Sequence, residues 1–160
     1  MSRFRLPATA VVPLLLLAAC GGEPEPTDAQ RTARRDACVG EELLIQARTR
    51  LADLDAVAGR TEPGSAAALL TERGRPLAAA LAEYAERRHR ETAYRDSAAS
   101  APGGEEADRF RRQAASYQVG AYPAGTVQAN AIERYEEDFR VARANPDHPC
   151  NQEAEEETAR

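Results

Sequence analysis

The chain has 160 residues, 21 basic and 26 acidic, for a formal charge of −5, and all of the basic residues counted are arginine. That balance argues against a nucleic-acid partner held through phosphates, and the length is one domain's worth. With no Trp, three Phe and five Tyr, the core has to be built mostly of Leu and Ala.

Arg3 and Arg5 precede an uncharged apolar run from Leu6 to Leu17, which ends in Leu17-Ala18-Ala19-Cys20-Gly21. The run is too short to span a bilayer as a helix and has the length of the apolar region of an export signal. With basic start, apolar run, small residues and cysteine in this order, the amino terminus resembles that of a bacterial lipoprotein. The resemblance covers about the first eighth of the chain. It implies that residues 1–19 are a cleaved signal peptide and that the Cys20 thiol receives a diacylglyceryl group. One acyl chain anchors only marginally, so attachment takes several, as the lipoprotein class carries. Gly21, where Asp is absent, resembles the sorting pattern that leads to the periplasmic face of the outer membrane in a diderm host. Without residues 1–19 the chain keeps 19 arginines against 26 acids, a formal charge of −7.

Residues 20–27 carry Gly-Gly-Glu-Pro-Glu-Pro-Thr after the cysteine, too polar and proline-rich to pack, and read as a flexible tether. Fully extended, it reaches roughly 25 Å. A helical domain is expected over 28–150. Asp28 is the expected cap of a first helix whose seam is Leu44, Ala47, Leu51, Leu54 and Ala58, and Gly59 ends it. Ser65 is placed to cap a second helical region reaching Ser100, with Leu69, Leu70, Leu77, Leu81 and Tyr84 as anchors. Gly74-Arg75-Pro76 predicts a kink there, or a short separate helix before the proline.

After the loop Ala101-Pro102-Gly103-Gly104, acids Glu105, Glu106 and Asp108 suit the positive end of a third helix, striped with Phe110, Ala114 and Tyr117 and ending near Val119. Thr126 is placed to cap a last helix with Ile132, Tyr135, Phe139 and Ala142 on one face. Residues 151–160 form an acidic tail expected to be disordered. No stretch alternates as a strand does. The fold class is therefore all-α, an antiparallel helical bundle of four passes.

With Cys20 lipidated, Cys38 and Cys150 remain, outside the cytoplasm, and an even pair there reads as a disulfide. Four antiparallel passes bring the start of the first helix and the end of the fourth to the same end; three would separate them.

Glu86 and His89 stand three apart on the second helix, the spacing at which one helix gives two ligands to a carboxylate-bridged metal centre. The second such pair is missing, and Arg87, Arg88 and Arg90 oppose a cation, so the expectation is a solvated charged face. Asp147, His148 and Cys150 sit in a proline-flanked turn, but catalytic partners meet in space rather than in sequence, and the disulfide occupies the thiol. Gly103-Gly104 follows no strand and precedes no Lys, so it is not a phosphate loop, and no cofactor is implied. Glu133, Glu136, Glu137 and Asp138 make an acidic solvent face on the last helix.

The expected function is that of a non-enzymatic, lipid-anchored cell-envelope module that works through protein partners and structure; the first-helix seam is compatible with a homo-oligomer. The alternative is a small-molecule-binding helical lipoprotein with Tyr84, Tyr94, Phe110, Tyr117, Tyr122, Tyr135 and Phe139 as lining. A metal-dependent enzyme built on Glu86 and His89 is a more distant one.

Overall fold

A computed structural model describes residues 25–156, and the expected signal peptide, residues 1–19, and Cys20 lie outside them. Among the described residues all regular structure is helical: α1 (Asp28–Ala58), α2 (Ala66–Ser100), α3 (Gly104–Ser116), α4 (Val127–Ala144) and α5 (Pro149–Glu156).

Side chains near the helix ends account for the boundaries. Thr27, not Asp28, caps α1. Its hydroxyl accepts from the Gln30 N–H at 3.3 Å and its own N–H donates to Gln30 Oε1 at 2.7 Å, a reciprocal pair that satisfies two donors without a carboxylate. Asp28 is displaced into the first turn, where its charge still suits the helix dipole. Ser65 and Thr126 cap α2 and α4 as their positions suggest, accepting from the N–H groups of Ala68 and Ala129. Gly64 and Gly125 precede those caps at φ +79° and +78°, a conformation that glycine adopts without steric penalty.

Two boundary expectations are corrected. No separate helix precedes Pro76, because α2 runs through Gly74-Arg75-Pro76 as one 35-residue helix. Pro76 lies on the exposed side of α2, where a backbone carbonyl deprived of its donor is within reach of water. The acidic tail is helical in its first part, since α5 continues from Pro149 to Glu156; residues 157–160 lie outside the description.

Contacts along the helices establish four alternating passes. Arg75 on α2 pairs with Asp55 near the α1–α2 turn, while Thr92 lies against Gly40 toward the start of α1. α3 returns along α2, with Tyr94 stacked between Phe110 and Tyr117 at ring separations of 6.3 and 5.7 Å. α4 then descends, from Tyr84 beside Tyr135 to Arg143 beside Asp36.

The passes are unequal. The core, Val39, Leu44, Ala47, Leu81, Ala85, Ala131, Tyr135, Phe139 and Cys150, belongs to α1, α2, α4 and the start of α5, while α3 packs on the outer flank of α2. Small residues at the crossing, with Ala85 and Ala131 both wholly buried, let the helices approach closely. The α1 seam is only partly used: Leu44 and Ala47 are buried, Leu51 and Leu54 half-buried, and Ala58 exposed. Leu69, Leu70 and Leu77 are exposed as well, so the far end of the α1–α2 hairpin is uncovered on one face.

Candidate functional site

Cys38, on α1, and Cys150, on the first turn of α5, stand at bonding distance, with Sγ atoms 2.06 Å and Cα atoms 5.7 Å apart. The segment between α4 and α5 holds Cys150 in place. The Asn145 side chain accepts from the Asp147 N–H at 3.0 Å, and His148 N–H returns to the Asn145 carbonyl at 3.1 Å. Asn151, itself buried, donates its side-chain amide to the carbonyls of Ala142, Arg143 and Asn145. The Ala142 and Arg143 carbonyls belong to the last turn of α4, so one side chain both caps α4 and fixes α5 against it.

His148 begins α5. Its Nδ1 accepts from the Cys150 N–H at 3.3 Å, which places the proton of the neutral ring on Nε2, and Nε2 lies 3.2 Å from Glu42 on α1. One ligand atom each from Glu42, His148 and Cys150 lies within 4.8 Å of the others, a spacing suited to a metal ion. The donor set does not fit one in the bonded form, because the Cys150 sulfur is engaged with Cys38 and a histidine and a carboxylate are left.

A second polar cluster joins α2 to α4. Arg88 donates through Nε to Glu136 and through Nη1 to Glu91, both at 2.9 Å, and its guanidinium stands 5.2 Å from the Phe139 ring centroid. Tyr84 donates its hydroxyl to the same Glu136 oxygen at 2.7 Å, and Arg95 pairs with Glu91 at 2.6 Å. Burial opposes the charge of Glu136, but the hydrogen bonds from Arg88 and Tyr84 outweigh it and hold the carboxyl below the usual glutamate range. Burial, reinforced by the bond to Glu136, pushes the Tyr84 phenol up. Asp36 goes the other way, raised by burial against the pull of Arg143 and Arg35. Each charge in the cluster has a partner, and both Tyr84 and Arg88 are held in their protonated forms. Such an arrangement joins helices; it offers no poised base or nucleophile.

Glu86 and His89 have different surroundings. Glu86 is taken by Arg48 from α1 and by Arg90 at 2.9 Å on its own helix, while His89 lies along the close approach of α2 to Gly40. Asp147 is exposed. Glu133 and Glu137 are exposed as expected of a solvent face, but Glu136 turns inward to Arg88. Spacing signalled neither Glu42 nor Asn151, since the one meets His148 from the opposite end of the chain and the other lies in the acidic tail.

The aromatic residues pack against each other and against helices. Tyr84 meets Tyr135 edge-on at 5.2 Å and Tyr135 stacks on Phe139 at 6.1 Å. Beside them, the space bounded by Ala80, Tyr84, Val119, Tyr122 and Ile132 is about 20 Å³, room for one water. No protein-family model matches the chain, and neither a curated protein nor a solved structure matches it.

Proposed function

We propose that this chain is a lipid-anchored protein of the bacterial cell envelope that acts as a non-catalytic interaction and structural module. The observation that carries the reading is the division of its three cysteines. Cys38 and Cys150 are joined across the bundle, as suits an oxidising compartment, and Cys20 follows Leu17-Ala18-Ala19 in the lipobox-like position. Two further features support it. The start of α1, where the tether enters, lies at the disulfide end of the bundle, and the buried charges neutralise one another instead of facing a substrate. The anchor places the bundle at the membrane by its amino terminus, at the periplasmic face of the outer membrane in a diderm host.

Metabolic labelling with an alkyne fatty acid tests the anchor. In a bacterial host the full chain takes up label, loses residues 1–19 and sediments with membranes, and Cys20→Ala abolishes all three. A wild-type chain that stays soluble, unlabelled and uncut overturns the localisation. Crosslinking in intact cells tests the other half, with one or a few defined partners expected; turnover of a small molecule by the purified protein overturns it.

A further inference from the structure

We infer that the uncovered face of the α1–α2 hairpin is an interaction surface whose partner is a second copy of this chain. α4 has 18 residues against 31 in α1 and 35 in α2, so it covers about 27 Å of helices that run for about 46 and 52 Å. Where its cover gives out, a groove of about 510 Å³ opens between α1 and α2, floored by Leu54, Leu77, Leu81 and Gly74 and bounded on the α4 side by Arg134. The stripe continues past the groove. Leu70 lies one turn before Gly74 on the same face of α2 and is 72 % exposed, and Val57, 44 % exposed, follows Leu54 on α1. A contiguous apolar face on two helices is the half-core of an interface rather than scattered surface leucines.

Charge selects the occupant. Arg50 and Asp53 both line the groove from α1, one turn apart, and neither forms an ion pair among the described residues, whereas Arg134, the third charge of the lining, is paired with Asp138 on α4. Their neighbours on α1 are paired as well: Arg48 with Glu86 and Asp55 with Arg75. An unpaired cation and an unpaired anion beside one apolar stripe are self-complementary. About a two-fold axis, Arg50 meeting Asp53 of a second copy generates the reciprocal pair without further design. An anionic lipid surface fits poorly, because Asp53 stands in the face and the chain carries a net charge of −5.

The open face, about 25 Å long and two helices wide, amounts to roughly 500 Å² per copy, or about 1,000 Å² for the pair, the lower edge of what a specific dimer needs. A reversible dimer follows. The inference rests on the interaction-module half of the proposed function and not on the anchor, so the full chain and its Cys20→Ala form should dimerise alike.

Sedimentation equilibrium of both forms in density-matched detergent, from about 1 to about 100 µM, is the test. The weight-average mass should rise toward twice the chain mass. Leu70→Gln, at a position too exposed to matter for the monomer fold, should weaken association at least fivefold with helicity by circular dichroism unchanged. Arg50→Asp and Asp53→Arg should each weaken it, and the two together should restore it, which only a copy-to-copy pairing predicts. A monomer at every concentration, a dimer indifferent to Leu70→Gln, or a double exchange weaker than either single overturns the proposal. So does a monomer whose groove residues crosslink to a different protein. Dimerisation of the Cys20→Ala form, alongside its failure to be labelled, separates this result from that of the anchor.

Discussion

Tyr135 and Glu136 are neighbours on α4, and burial acts on them with opposite results. The Tyr135 hydroxyl is buried without a hydrogen-bond partner, so Tyr135→Phe removes a desolvated polar group while keeping the ring, and stability should rise by about 1 kcal/mol. Glu136 is bonded to Arg88 and Tyr84 with 40 % of its side chain exposed, so Glu136→Gln should cost about 1 kcal/mol, less than a fully buried pair would, because solvent screens it. Because the folded state lowers the Glu136 pKa, its contribution is fully present above the unfolded glutamate range and is lost as pH falls through that range and below. The cost of Glu136→Gln should therefore vanish in acid, whereas the gain of Tyr135→Phe should not change there. Urea unfolding of the three proteins from pH 7 to pH 3 checks both. In the sequence Tyr135 reads as an anchor and Glu136 as part of an acidic solvent face. The facing helix decides their roles, and no local pattern states that Arg88 lies opposite Glu136.

Helix boundaries were legible wherever a short polar side chain stands before an uninterrupted periodic run, as at Ser65 and Thr126. They were misread at Thr27, where two polar residues in succession compete to cap and the one with Gln30 three positions on forms the reciprocal pair. For a related reason Pro76 does not divide the helix: its cost is local, while α2 packs on α1 and Pro76 itself faces water. Gly40 carried no sequence signal, yet it sets how closely the two longest helices approach. A Cβ there would fall 2.8 Å from Thr92 Oγ1 and 3.5 Å from the His89 backbone. Thr92 is buried and its hydroxyl is bonded to the carbonyls of Arg88 and His89. Gly40→Ala should thus lower stability by about 1 to 2 kcal/mol, although alanine is the better helix former by nearly 1 kcal/mol. Adding Thr92→Ala should return most of the loss beyond its own effect, and a double-mutant cycle by thermal unfolding measures the coupling.

At the scale of the molecule, the number of passes was legible because cysteine pairing and helix count constrain each other, and both agree with the structure. The place of α3 was not. Its stripe of Phe110, Ala114 and Tyr117 declares that it packs but not against what, and it lies on the flank of α2, outside the shared core. The bridge spans 112 positions, and in the chain-entropy account a loop of that size contributes about 4 to 5 kcal/mol. Cys38→Ser should lower unfolding stability by about that much, and the same loss should follow when the wild type is unfolded in reductant, with no further loss for the variant. The bridge has a second consequence, for cleavage. Residues 118–125, between α3 and α4, are non-helical and mostly exposed, the kind of segment proteases enter. A single cut there yields one fragment with α1 to α3 and Cys38 and another with α4, α5 and Cys150, still fastened through sulfur. The nicked protein keeps its carboxy-terminal half wherever its amino terminus is held, and shedding that half takes a reductant as well as a protease.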